Sequence, residues 1–318
     1  MIGVVFLHEI SIPKNQNSFL TLHGFTNIDL PMQQSIDLLR RKLGAIYPPG
    51  EIIGFTRMIF ESLCGYTPTD ILLHKDTILS EDIHRKIERI TDRLSQQEPI
   101  QYILGYTDFC GRRFDIAPGA LIPRPETEEL TRLVITENPG QPSRIADLGT
   151  GSGCIAVTLA LSLSDSKVEA WDISTEALEI AQRNARKHNA HVNFFQRDIL
   201  RYDVSELPEE SLDIIVSNPP YIPRNDIPGL DHSVRDYEPH LALDGGEDGL
   251  DFYRAICEKW TAALVPGGRL YFEVGIGQAD AVLRIMRAQG FGDIQVVKDH
   301  NEIPRVVFGT LCTEVYKE

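Results

Sequence analysis

The chain has no apolar run near the roughly 20 residues that a membrane-spanning helix needs. Its apolar start, 1–7, lacks a positive lead-in and runs at once into His8 and Glu9, so no secretory signal is expected. Residues 1–31 contain no Arg and carry Glu9 and Asp29, which argues against a mitochondrial transit peptide. The expected compartment is the cytoplasm. Cysteine is scarce: Cys64, Cys110, Cys154, Cys257 and Cys312 are scattered and form no C-x-x-C pair. That excludes a zinc framework and a disulfide scaffold and leaves buried free thiols. The nine histidines are dispersed without an H-x-x-x-H pair, so no metal site is expected. No serine sits in a nucleophile elbow and no P-loop lysine is present. Positive charge is in deficit, with 31 Lys and Arg against 46 Asp and Glu and a net charge of −15. A stable nucleic-acid partner is therefore not expected, because phosphate binding needs a basic face.

What is present is a chain of 318 residues with 42% hydrophobic content, enough for about two domains at roughly 150 residues each. Residues 1–31 show no clear periodicity. From Met32, Ile36, Leu39, Leu43 and Ile46 recur at helical spacing. A second helix is expected over 51–64, stopped by Gly65, and a short third over 69–74. Ser80 reads as the N-cap of a fourth, with Glu81 and Asp82 in its first turn and Ile83, Ile87, Ile90 and Leu94 on one face. The spacing thus predicts a helical domain over 32–105. A two-strand segment over 106–116, turning at Gly111, opens a second domain over 106–318. There strands at 144–148, 168–171, 192–195, 212–217, 269–274, 294–298 and 305–309 alternate with helices at 154–163, 175–187, 250–264 and 279–288. Such alternation predicts an α/β fold, a mostly parallel sheet with helices on both faces.

Two strand ends carry chemistry. The strand ending in Asp147-Leu148 runs into Gly149-Thr150-Gly151-Ser152-Gly153 and then a helix. Glycines at alternate positions let the backbone approach a ligand, and open α/β sheets bind ligands at the carboxyl ends of their strands. Asp172 ends the next strand, where an acid that binds ribose hydroxyls is expected. A dinucleotide site favours G-x-G-x-x-G. Here the spacing is G-x-G-x-G with Cys154 three places after Gly151, which favours S-adenosylmethionine over NAD. A tight strand-to-helix turn without a ligand is the plain alternative. Asp198 and Ile199 follow the third strand, placed to meet the adenine amino group and face; a strand-end Asp capping a turn explains Asp198 equally well.

The strand 212–217 delivers Asn218-Pro219-Pro220-Tyr221. An amide or aromatic amine is a poor nucleophile because its lone pair is delocalised. The Asn218 side-chain oxygen and the Pro219 carbonyl are two acceptors for such an NH₂ group. Two prolines stiffen the segment and remove donors, and Tyr221 offers a flat face to a planar group. A proline turn with Asn218 as a turn residue is the plain alternative.

These residues resemble the class I methyltransferase fold and, more narrowly, the HemK/PrmC family of release-factor glutamine methyltransferases. The likeness extends to Pro99-Ile100-Gln101-Tyr102-Ile103-Leu104-Gly105, to Ile122-Pro123-Arg124-Pro125-Glu126-Thr127-Glu128, and to Asp172 with Ser174, Ala177, Leu178, Ala181 and Asn184. Further matches are Tyr237-Glu238-Pro239, the run from Ala242 to Leu250, Pro266-Gly267-Gly268 and Glu273-Val274-Gly275. It covers about 32–318. The resemblance implies a Rossmann-like, mostly parallel seven-stranded sheet beside the N-terminal helical domain. It implies S-adenosylmethionine lined by Gly149 to Gly153, Asp172, Asp198, Ile199 and Asn218, and a glutamine amide held by Asn218, Pro219, Pro220 and Tyr221. The implied partner is a class 1 release factor whose Gly-Gly-Gln loop enters the pocket while the helical domain helps grip it. Nothing requires oligomerisation, so a monomer is expected. Trp171 departs from the family's small or aliphatic residue, and 298–305 lacks the family's glycine before the final strand. Residues 1–31 have no family counterpart and read as an upstream extension before a natural start at Met32. The rival readings are an adenine-amino methyltransferase of DNA or RNA, which shares Asn218 to Tyr221, and a non-catalytic cofactor-binding scaffold.

Overall fold

The computed structural model describes residues 30–140, 143–208 and 210–312. The extension expected over 1–31 lies outside them apart from Leu30 and Pro31. These form β1 (Leu30–Pro31), followed by α1 (Met32–Leu43), α2 (Pro49–Cys64), α3 (Pro68–Leu73), β2 (Ile78–Leu79), α4 (Glu81–Ser95) and α5 (Ile100–Leu104). The apolar stripe of α1, Met32, Ile36, Leu39 and Leu43, meets Ile87, Ile90 and Leu94 of α4 in a core of its own. Spacings of three and four put each set on one face, and Ile52, Phe55, Ile59 and Phe60 of α2 complete the core between them. The Ser80 side chain caps α4 by accepting from the Ile83 amide. Ile46 departs from the expected stripe: it is 39% exposed. The amides of Ile46 and Tyr47 both turn back to the Leu43 carbonyl, and Pro48 and Pro49 then start a new helix, which ends α1 first.

The hairpin β3 (Tyr106–Phe109) and β4 (Arg112–Asp115) turns through Cys110 and Gly111, both at positive φ. It touches the helical domain through Arg113, whose guanidinium lies 3.2 Å from Glu61 and covers the Tyr106 ring.

The rest alternates: α6 (Pro125–Glu137), β5 (Arg144–Leu148), α7 (Cys154–Ser162), β6 (Lys167–Asp172), α8 (Thr175–His188), β7 (Val192–Gln196), β8 (Leu212–Ser217), α9 (His232–Arg235), α10 (Asp251–Lys259), β9 (Leu264–Glu273), α11 (Ala279–Ala288), β10 (Phe291–Lys298) and β11 (Pro304–Leu311). The main sheet has the order β10-β11-β9-β8-β5-β6-β7. β9, β8, β5, β6 and β7 are parallel, and β11 inserts antiparallel between β9 and β10. This is the class I methyltransferase fold. Leu130, Val134, Ile155 and Ala185 from α6, α7 and α8 cover one face, and Ile256, Val282 and Met286 from α10 and α11 cover the other. The chain leaves β5 toward β6 and β7, then returns to β8 on the other side. The carboxyl ends of β5 and β8 therefore flank the crevice where the winding reverses, the expected place for a ligand.

The helix expected over 250–264 ends at Lys259 and continues as a 3-10 turn, Trp260–Ala263. The strand expected from 269 begins at Leu264, because a wide irregularity opposite Leu212 and Ile214 absorbs Pro266, Gly267 and Gly268. Of the thiols, Cys154 and Cys257 are buried, Cys64 and Cys110 partly so, and Cys312 is exposed. Among the described residues no helix is long and apolar enough to cross a membrane.

Candidate active site

β5 is buried on both faces, and at its end Asp147 is inaccessible to solvent. Its Oδ2 accepts from the Thr150 hydroxyl at 2.6 Å and the Ala156 amide at 3.2 Å. Burial pushes this carboxyl up to about 7, with those two bonds pulling the other way. Asp147 thus anchors the glycine loop from beneath. From the side, the Trp171 carbonyl receives the Gly149 and Thr150 amides at 2.8 and 3.0 Å. The three glycines have different duties. Gly149 and Gly151 line a cleft of about 540 Å³. Gly153 instead starts α7 at φ 81°, where a Cβ would stand 2.9 Å from Ala181 Cβ of α8. A side chain there would drive α8 away from the loop.

Asp172 ends β6 facing the cleft. Its Oδ2 accepts the Gly151 amide at 2.8 Å and its Oδ1 the Ser174 amide at 2.9 Å. Burial raises this carboxyl too, opposed by its backbone bonds. Each oxygen keeps a lone pair for a further donor. Under Asp172, Trp171 stacks on Phe195 at 4.6 Å and meets Trp260 edge-on at 5.1 Å. Asp198 lines the cleft while its Oδ1 accepts the Leu200 amide at 2.9 Å and Arg201 lies 3.4 Å from its Oδ2. It caps its own turn as well as facing the cavity. Ile199 supplies an apolar wall.

At the end of β8 the Ser217 hydroxyl donates to the Leu148 carbonyl at 2.6 Å, tying the two strand ends together. Asn218 follows. Its Nδ2 donates to Thr127 Oγ1 at 3.1 Å, and Thr127 donates to Glu273 Oε2 at 2.7 Å. Asn218 Oδ1 is buried and has no partner. A buried acceptor left open is costly unless something donates to it. Glu273 is fully buried, and desolvation pushes it up to about 7 against the Thr127 bond. A return loop closes the outer wall with Pro239, Leu241, Ala242 and Asp244. Gly245 passes so close that a Cβ would lie 2.8 Å from the Pro220 carbonyl. The loop is held at Glu238, whose buried carboxylate pairs with Arg124 and accepts the Ile122 amide, and at Tyr237, which donates to the Gln96 carbonyl of the helical domain.

The cleft thus gathers Gly149, Gly151, Asp172, Asp198, Ile199, Asn218 and Pro220. Thr150, Ser152 and Gly153 are buried behind it, and Pro219 and Tyr221 are not part of its lining. Tyr221 packs against the large core on the α10 side, beside Gly275, and burial pushes its hydroxyl up to about 12. Sequence reasoning assigns no role to Thr127 or Glu273. The available signal is positional: Glu273 closes a buried strand directly beside the one that delivers Asn218. Among the described residues no cluster of His, Cys, Asp or Glu is placed to hold a metal.

A family model for the methyltransferase small domain matches residues 109–228, and one for the PrmC N-terminal domain matches 49–105. A release factor glutamine methyltransferase of Bacteroides thetaiotaomicron is 45% identical over 262 residues, covering 82% of this chain and 93% of that protein. One from Geobacter sulfurreducens is 40% identical over 256 residues, covering 80% and 88%. One from Koribacter versatilis is 37% identical over 281 residues, covering 88% and 98%.

Proposed function

This chain belongs to the release factor glutamine methyltransferases, and from that premise we infer that it methylates the side-chain amide nitrogen of a release-factor glutamine with S-adenosylmethionine as donor. The single observation that carries the reading is Asn218 Oδ1: a buried acceptor without a partner, on a residue that lines the cleft at the carboxyl end of β8. An NH₂ group is the complement it lacks.

The residues present fit the cofactor. Asp172 has free lone pairs for a ribose diol, Ile199 an apolar face for adenine, and Gly149 and Gly151 leave room along the loop. S-adenosylmethionine supplies a methyl group on a cationic sulfonium, already activated for transfer. The chain's own task is alignment. Asn218 Oδ1, on the residue that lines the cleft, accepts from the glutamine NH₂ and fixes its nitrogen, while the Pro219 carbonyl that follows it lies outside that lining. Held there, the nitrogen would face the methyl group that the bound cofactor would supply, with the Asn218 oxygen accepting one of its N–H bonds. Alignment can remove up to about 7–11 kcal/mol of barrier. An acceptor aimed at the developing charge contributes about 3 kcal/mol, by analogy with oxyanion-hole donors.

The finer substrate is the glutamine of the Gly-Gly-Gln loop of class 1 release factors, gripped in part by the helical domain over 32–105. An adenine in DNA or RNA is not favoured, given a net charge of −15, and neither is a non-catalytic scaffold. The test is transfer of labelled methyl to an unmethylated release factor, beside one whose Gly-Gly-Gln glutamine is replaced by alanine and beside duplex DNA. Label on the first alone supports the reading; label on the DNA, or on both factors, overturns it.

A further inference from the structure

An asparagine amide has two ends alike in shape and opposite in chemistry. A half-turn of the side chain exchanges oxygen and NH₂ with little change in packing. Only one orientation presents an acceptor to the substrate nitrogen, so something must select it. At Asn218 the selector lies on two other elements. Thr127, in the first turn of α6, has its hydroxyl 3.1 Å from Asn218 Nδ2 and 2.7 Å from Glu273 Oε2 at the end of β9. A hydroxyl has one proton to give, and an ionised carboxylate has none. Thr127 must therefore donate to Glu273, which leaves its oxygen able only to accept. The Asn218 end that meets it has to be the NH₂, which leaves the buried oxygen as the unpartnered end of a residue that lines the cleft. Were the amide reversed, two oxygens would oppose each other with no proton between them.

We propose that Glu273, acting through Thr127, is the positioning residue that holds the Asn218 oxygen toward the substrate amide. The proposal rests on the role of Asn218 given above. Neither Thr127 nor Glu273 lines the cleft, so neither touches the reacting atoms. The direction of the relay depends on the charge of Glu273. Burial is the largest influence on that charge and favours the neutral form. Glu126 lies near with the same tendency, Arg305 and Arg124 oppose it, and the neighbouring Tyr221 hydroxyl, itself pushed up to about 12, stays neutral over this range. The Tyr253 hydroxyl is spent on the backbone carbonyl of Glu273. A proton on Glu273 lets the chain of bonds run backwards and releases the amide to turn.

The experiment uses the full chain and an unmethylated release factor, with kcat and KM measured from pH 5.5 to 8.5 for wild type, Thr127→Ser, Thr127→Val and Glu273→Gln. At pH 8, Thr127→Val and Glu273→Gln should lose about 10- to 100-fold in kcat, the usual scale for a residue that orients a contacting group. KM and cofactor affinity should change less than about twofold, because the amide is a small part of the bound surface. Thr127→Ser keeps the hydroxyl and should stay within about threefold of wild type. The wild type should show an acid limb that Thr127→Val lacks. Equal kcat in wild type and Thr127→Val, with cofactor still bound, overturns the proposal. An independent readout is the Asn218 side-chain NH₂ resonance in protein labelled with ¹⁵N-asparagine, identified by its absence from Asn218→Ala. A close contact between that NH₂ and the Thr127 side chain is expected, and its absence in folded protein overturns the relay whether or not the wild type methylates a release factor. Failure of the wild type to transfer methyl, with the contact intact, instead removes the assigned substrate.

Discussion

Replacing Asp172 with alanine tests the cofactor side directly. The wild-type carboxylate has about four lone-pair sites, and the Gly151 and Ser174 amides use two of them. The remaining two are what a ribose diol requires. A hydrogen bond to a charged group contributes about 1.5–3 kcal/mol, so two of them amount to about 3–6 kcal/mol before relaxation. Water and loop movement recover part of that. The expected net loss is about 3 kcal/mol, or roughly a hundredfold in Kd. The assay is calorimetric titration with S-adenosylhomocysteine, which keeps the ribose and lacks the reactive methyl. Asp198→Ala is the comparison: its carboxylate already serves the Leu200 amide and Arg201, so its loss should be smaller. A folded Asp172→Ala protein that binds within about threefold of wild type would refute the reasoning.

Asn218→Ala should lower kcat by about 10²–10³-fold and leave cofactor binding nearly intact; near-normal turnover would sink the assigned mechanism. Gly153→Ala forces a side chain into φ 81° and to 2.9 Å from Ala181 Cβ. The backbone costs about 1–2 kcal/mol and the overpacking about 1–3, so a denaturant titration should show a loss of about 2–5 kcal/mol. Trp171→Val empties the space between Phe195, Tyr202 and Trp260. About 3–5 kcal/mol should be lost by the same measurement, and an unchanged midpoint would contradict the packing. Asp147 carries part of the pH dependence, alongside the raised carboxyls of Glu273 and Asp172. Its folded carboxyl is raised from 3.8 to about 7, so the folded state binds the proton more tightly than the unfolded chain. That contribution is complete below the ordinary carboxyl range and is lost as pH rises through about 7. Asp147→Asn should therefore flatten the decline of Tm between pH 5 and 8, and a slope equal to that of the wild type would count against a buried titrating Asp147.

Periodicity was a reliable guide wherever one face of an element is buried. Ile87, Ile90 and Leu94 line the inner face of α4, and Ile145 to Leu148 form a strand covered on both sides. Both patterns are local, and local burial produces them. It failed where a backbone hydrogen bond outranked the apolar stripe, as when the Leu43 carbonyl drew back the Ile46 and Tyr47 amides. It failed again where a strand runs through Pro266, Gly267 and Gly268, residues that read as a loop because the irregularity holding them depends on the neighbouring strand.

The site divides along the same line. Gly149, Asp172 and Asn218 sit at the ends of three strands, so counting along the chain finds them, and the sheet order brings them to one cleft. The identity of a residue does not say which end of it faces a ligand. Asn218 could be read from its tetrapeptide as an acceptor, but its orientation is set by Thr127, 91 residues away, and by Glu273, 146 residues beyond Thr127. Gly153 illustrates the converse. Its spacing assigns it to the cofactor loop, whereas its missing side chain is required by Ala181 on the next helix. A motif thus locates the atoms of a site, and the packing of distant elements fixes their direction. The chemistry of a weak nitrogen nucleophile depends on the second, because an acceptor and a donor at the same position have opposite effects on its lone pair.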